Sequence, residues 1–177
     1  MQFEVSVTGC LVIKIKAFTD DRGFFTEAYK KSDYGMLPDF VQDNVSFSVK
    51  GTIRGMHFQR SNPQGKLIRV LSGRAIDCVV DLRKKSRTFG QTETFVLEPT
   101  THAVYIPPGF AHGFWAYCDT VFHYKCTTEY DAASDGGISP IDPDMNYPWE
   151  LDQSSDLIIS SKDKTLPLFR DFDTPFD

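Results

Sequence analysis

The chain has 177 residues, 41% apolar and 14% aromatic, including 15 phenylalanines, and a formal net charge of −5 with acids and bases interspersed. A chain of this length is read as a single domain, residues 1–177, able to bury roughly 70% of its unfolded surface without help from a disulfide or a metal. There is no basic run to suit nucleic acid and no apolar stretch near the roughly 18 residues of a membrane span, and an anionic substrate would need a local basic pocket set against the global sign.

The N-terminal MQFEVSVTG carries an early acid and no basic flank, so it does not read as a secretory leader. Cys10, Cys78, Cys118 and Cys126 form no CxxC pair, the pattern of reduced cysteines in a cytoplasmic protein. Leu11–Ala17 (LVIKIKA) alternates as a strand does. TDDRGFFTEAY (Thr19–Tyr29) crowds charge and aromatics into an edge strand or turn, the best helical signal is a short turn near Ser32–Met36, and FVQDNVSFS (Phe40–Ser48) reads as a loop. Strand-like runs follow around His57 and over Lys66–Leu71. In Ala75–Leu82, Ile76, Cys78, Val80 and Leu82 share one face while Asp77, Val79 and Asp81 share the other. Phe95–Leu97, Ala103–Ile106 and Thr120–Thr127 complete the series, separated by the turn signals SGR, SRTFG, EPTT and PPG. From Asp131 on, Pro140, Pro143, Pro148 and Pro167 argue for extended segments wrapped on the core. Many short strands with Gly/Pro turns predict an all-β sandwich or barrel, a jelly roll being one of few solutions at this size.

Several residues carry possible chemistry. PPGFAHGF (Pro107–Phe114) resembles the second motif of cupins, in whose metal-binding members the histidine is a ligand. The earlier segment, however, offers only His57, with Gln59 where a second ligand would stand, and a metal site needs three or four ligands. That leaves His57 free to act as a base near neutral pH, oriented by a carboxylate for which Asp77 and Asp163 are both candidates. Lys66 opens a strand and suits the stabilisation of a developing oxyanion. Tyr124 alternates with Phe122 and Cys126, faces inward with them and suits proton donation. Taken singly, each reads as a packed or solvated residue. Two histidines, a lysine and a tyrosine on separate strands of one core are more titratable groups than packing alone requires.

DDRGFFTE, FVQDN, IRGMHFQ, QGKLIRV, DLRKKSRTFGQ, IPPGFAHGF, YKCT and SSKD, in that order from about residue 20 to residue 168, resemble the nucleotide-sugar 3,5-epimerases of deoxysugar biosynthesis, typified by dTDP-4-dehydrorhamnose 3,5-epimerase. The resemblance implies a cupin-type jelly roll with short helical turns and an extended C-terminal segment, forming a homodimer and using neither metal nor organic cofactor. It implies inversion of carbons 3 and 5 of a nucleoside-diphosphate 4-keto-6-deoxyhexose. His57 then corresponds to the base, Asp163 to the carboxylate that orients it, Tyr124 to the acid on the other face of the sugar and Lys66 to the group beside the 4-keto oxygen. Arg22, Phe25 and Glu27 correspond to substrate contacts contributed to the neighbouring subunit. Gln42, Asp43, Asn44, Arg54, Gln59, His112, Asp135 and Lys162 correspond to further substrate contacts.

The sequence departs from the family pattern around the nucleotide. Asn44-Val45-Ser46 stands for Asn-His-Ser, Glu129-Tyr130 for Tyr-Tyr, Asp135 for Glu, and ISPIDP lacks the tryptophan of WxDP. The alternatives are an epimerase of one carbon only, a non-catalytic nucleotide-sugar-binding cupin and, more weakly, a metal-dependent cupin oxygenase.

Overall fold

The computed structural model describes residues 2–151 and 157–177. Its strands, in chain order, are β1 (Phe3–Val5), β2 (Leu11–Lys14), β3 (Ala17–Asp20), β4 (Gly23–Thr26), β5 (Gln42–Ser48), β6 (Thr52–Gln59), β7 (Lys66–Ser72), β8 (Ala75–Asp81), β9 (Thr92–Leu97), β10 (His102–Ile106), β11 (Phe110–Ala116), β12 (Thr120–Cys126), β13 (Asp135–Gly137) and β14 (Ile158–Ile159). Helical structure among the described residues is limited to 3-10 turns, one of them at Lys31–Tyr34, close to the turn predicted at Ser32–Met36.

Two sheets form the jelly roll. The first runs β1-β2-β10-β7-β12-β5 and the second β13-β6-β11-β8-β9, with β14 paired in parallel to the start of β6. The fold is the all-β jelly roll that the short strands and turns predicted, in the cupin-type form implied by the PPGFAHGF motif and the family resemblance. β3 and β4 form a separate hairpin.

Strand alternation sorts the core into three layers. Ile68, Val70, Val79, Val104, Phe114 and Phe122 fill the space between the sheets. Cys78, Val80 and Leu82 face outward from the second sheet, where the C-terminal segment covers them with Tyr147, Trp149, Phe172 and Phe176. The outer face of the first sheet is capped by Tyr34, Leu37 and Phe40. β8 is thus covered on both faces, so Asp77 and Asp81, predicted to share a face with Val79, are fully buried. Asp81 stays satisfied by anchoring the turn that follows: it accepts hydrogen bonds from Arg83, Ser86 and Thr88.

Two sequence readings change. The run at Leu11–Ala17 is divided, β2 ending at Lys14 and β3 opening at Ala17. FVQDNVSFS is a strand, β5, and not a loop, because Gln42, Asn44, Ser46 and Ser48 line up on the inner face against Cys126, Tyr124, Phe122 and Thr120 of β12.

Candidate active site

Between the sheets lies a cavity of about 620 Å³ that continues into a smaller lobe of about 330 Å³. His57, Lys66 and Tyr124 line both lobes and so stand at their junction. His57 comes from β6 of the second sheet, whereas Lys66 and Tyr124 come from β7 and β12 of the first, so the histidine faces the other two across the barrel. On β7 and β12 the inward set is fixed by register, Lys66 opposite Cys126, Ile68 opposite Tyr124 and Val70 opposite Phe122.

His57 Nε2 lies 2.7 Å from Asp163 Oδ1, on the 3-10 turn Asp163–Thr165. Burial of Asp163 acts to raise its pKa, but hydrogen bonds from His57, Ser160 and the backbone of Gly55 outweigh it and hold the carboxyl below its ordinary value. The group is therefore an ionised acceptor at neutral pH. It keeps the proton on Nε2 and leaves Nδ1 as the basic nitrogen.

A second pair stands beside the first. His112 on β11 is directly opposite His57 on β6, and its Nε2 lies 2.7 Å from Asp77 Oδ2. The two carboxylates that the sequence offered to His57 are thus divided, Asp163 to His57 and Asp77 to His112. Burial raises the Asp77 pKa, opposed by His112 and Lys66. The Lys66 ammonium has no ion-pair partner among the described residues; burial lowers its pKa, opposed by Cys126, Asp77 and Asp135. Its Nζ is 5.9 Å from the centre of the Tyr124 ring, and burial raises the pKa of that phenol. An enclosed cation, a neutral phenol and an oriented imidazole across one cavity can polarise a carbonyl and move protons on two sides of a bound ring.

The other predicted contacts divide by position. Arg54, His112 and Lys162 line the larger lobe, while Gln42, Asn44, Gln59 and Asp135 line the smaller one. The Arg54 guanidinium donates to Ser48 Oγ and Phe47 O, and the Lys162 ammonium pairs with Asp135. Asp43 is not brought to the cavity. Alternation along β5 turns it outward, where it pairs with Lys125 at 2.6 Å. Arg22 and Phe25 lie on the exposed β3–β4 hairpin, Arg22 paired with Asp20, and Glu27 follows the hairpin; none of the three lines this chain's own cavity. Ser46, Ser48, Phe114 and Ser160 line the cavity without having been singled out from the sequence, as does Tyr130, noted there only as a departure. The signal for Ser46 and Ser48 was present in β5, whose polar residues recur at every second position. Among the described residues, no three His, Cys, Asp or Glu side chains converge closely enough to hold a metal ion.

A jelly-roll barrel with an oriented histidine facing a lysine and a tyrosine defines a cupin-type isomerase site. The model of the dTDP-4-dehydrorhamnose 3,5-epimerase family matches residues 4–171, and the chain belongs to that family. It is 44% identical over 166 residues to the dTDP-4-dehydrorhamnose 3,5-epimerase of Methanothermobacter thermautotrophicus, covering 91% of this chain and 90% of the relative. Among solved structures it resembles the Bacillus anthracis dTDP-4-dehydrorhamnose 3,5-epimerase with TDP and PPi bound, at 40% identity and a TM-score of 0.84, covering 95% of this chain and 100% of that one. It also resembles the Legionella pneumophila dTDP-6-deoxy-D-glucose-3,5-epimerase in complex with dTDP-4-keto-L-rhamnose, at 35% identity and a TM-score of 0.88, covering 97% and 94%.

Proposed function

We propose that this chain inverts carbons 3 and 5 of a dTDP-linked 4-keto-6-deoxyhexose. The observation that carries the reading is the His57–Asp163 pair facing Lys66 and Tyr124 across one cavity. His57 Nδ1 removes a proton α to the ketone, Lys66 stabilises the enolate oxygen, and Tyr124 returns a proton to the opposite face of the carbon. Each inversion places one proton on His57 and takes one from Tyr124 with no electrons exchanged, and both groups reset by proton exchange with solvent before the second carbon reacts. Arg54 and Lys162 supply the positive charge that a diphosphate needs. His112, Asn44 and Asp135 complete the substrate contacts.

The molecule works as a homodimer. β5 is an edge strand whose outer face exposes Val45 and Phe47, and the β3–β4 hairpin exposes Phe18, Phe24 and Phe25. An apolar edge strand invites pairing with a second copy. In that arrangement Arg22, Phe25 and Glu27 reach the neighbouring cavity, and the outward Asp43 lies at the interface. Four free cysteines suit a reducing cytoplasm. Among the described residues no helix is long and apolar enough to cross a membrane.

The test is incubation with dTDP-4-keto-6-deoxyglucose in deuterated water, followed by proton NMR. Deuterium entering at carbons 5 and 3 is expected. Exchange at one carbon alone selects a single-carbon epimerase, and none at either, from folded protein, overturns the catalytic reading. His57→Ala abolishes exchange, and Tyr124→Phe slows completed inversion more than the first deprotonation.

A further inference from the structure

The smaller lobe is edged by the segment between β12 and β13, and four successive residues of it are held through their backbone by glutamine side chains. Gln64 Nε2 donates to Thr128 O at 2.9 Å. Gln59 Nε2 donates to Glu129 O at 3.4 Å and to Asn62 O at 2.9 Å, while its Oε1 accepts from Asp131 N at 2.7 Å. Gln42 Oε1 accepts from Tyr130 N at 2.7 Å, and its Nε2 donates to Asn44. A carboxamide has two N–H donors and one oxygen. Both Gln59 hydrogens are engaged, its oxygen is occupied, and the residue is only 4% exposed, so it has no free donor to offer a ligand. The segment in turn presents Tyr130, a residue 55% exposed that lines the lobe and whose hydroxyl donates to Asp135 Oδ2 at 3.3 Å.

We propose that Gln59 is a positioning residue that acts on the substrate through Tyr130, holding that ring at the wall of the smaller lobe, in a grip shared with Gln42, rather than touching the substrate itself. The grip is on backbone atoms, so it is indifferent to the side chains of the residues it holds. That is consistent with Glu129 standing beside Tyr130 where the family usually has a second tyrosine. An ordered ring lowers the conformational cost of binding, so the effect falls on substrate affinity before it falls on chemistry.

This inference rests on the epimerase reading, and a double-mutant cycle separates the two. Gln59→Leu, Tyr130→Ala and the double variant are compared by exchange kinetics with dTDP-4-keto-6-deoxyglucose. Gln59→Leu and Tyr130→Ala are each expected to raise KM about tenfold while kcat falls less than threefold, and the double variant is expected to match Tyr130→Ala alone. A KM that multiplies to about a hundredfold in the double variant, or a Gln59→Leu loss confined to kcat, overturns the proposal. If Gln59→Leu does not fold by circular dichroism, Gln42→Leu takes its place in the cycle with the same two outcomes. Absence of exchange by the unaltered protein would overturn the epimerase reading instead.

Discussion

His57 and Asp163 lie 106 positions apart in the chain yet share a 2.7 Å hydrogen bond. No spacing rule could have chosen Asp163 over Asp77 for His57, since both are acids entering a β-core from distant segments. The choice was legible only through the resemblance of SSKD to the family. The assignment of Asp77 to His112 was not legible at all, because it depends on the β8–β11 register. Asp163→Asn retains an oxygen acceptor but removes the negative charge. It is expected to lower exchange about 10²-fold or more, by losing the charge that fixes the tautomer and supports the imidazolium, with the fold intact by circular dichroism. The depressed Asp163 pKa also means that its contribution to stability is present above the ordinary carboxyl value of 3.8 and is lost as pH falls through the lower folded value. Lys66 titrates in the opposite context. Burial lowers its pKa from 10.5 and raises that of Tyr124 from 10.0, so the enclosed site disfavours the charged form of each. The pH profile of kcat should therefore fall on the alkaline side below pH 10.5. Lys66→Arg, slower because its geometry differs, should lose that limb because guanidinium stays charged.

At the scale of elements, β5 was the segment the sequence misrepresented. Its inward face is polar because it lines the cavity, and its outward face carries Val45 and Phe47, so the usual sense of inside and outside is reversed. A reading that expects apolar residues to point inward sees only a polar, loop-like stretch. The proposed dimer predicts that Val45→Glu, on the same outward face but lining neither lobe, weakens self-association measured by sedimentation velocity and lowers activity along with it, as the hairpin residues leave the neighbouring cavity. The paired strands β6 and β11 show the reverse case, where the sequence carried the geometry in its glycines. A Cβ on Gly113 would sit 2.7 Å from Met56 Sδ and 2.8 Å from Arg54 O, and one on Gly55 would sit 2.5 Å from the Gly113 Cα. The strands approach there because the register shifts between His112 and Phe114, next to both histidines. Gly113→Ala is expected to cost about 1–3 kcal/mol in urea denaturation and to reduce exchange by moving His57 away from Lys66 and Tyr124.

Over the whole molecule, charge is distributed against its own total. The net charge is −5, yet Arg54, Lys66 and Lys162 line one cavity lobe against the single carboxylate of Asp163. A dianionic diphosphate is drawn to that local field against the global one, so kcat/KM should decline steadily with added sodium chloride while kcat changes little, as stopped assays at several ionic strengths would show. The strand-rich class was legible from turn spacing, but the pairing of sheets was not, because sequence-distant neighbours such as β2–β10 and β7–β12 are set by packing. Asp163 rides on a segment attached after the barrel, through the two-residue parallel pairing of β14 with Thr52 and Ile53 and the bond from Ser139 N to Pro167 O. Synthesis proceeds from the N-terminus, so His57, Lys66 and Tyr124 emerge well before it. A nascent chain on the ribosome can pair the strands from β1 to β12 while its histidine still lacks the carboxylate that orients it. Formation of the His57–Asp163 pair thus waits on the docking of that segment, whatever the order in which the sheets themselves assemble.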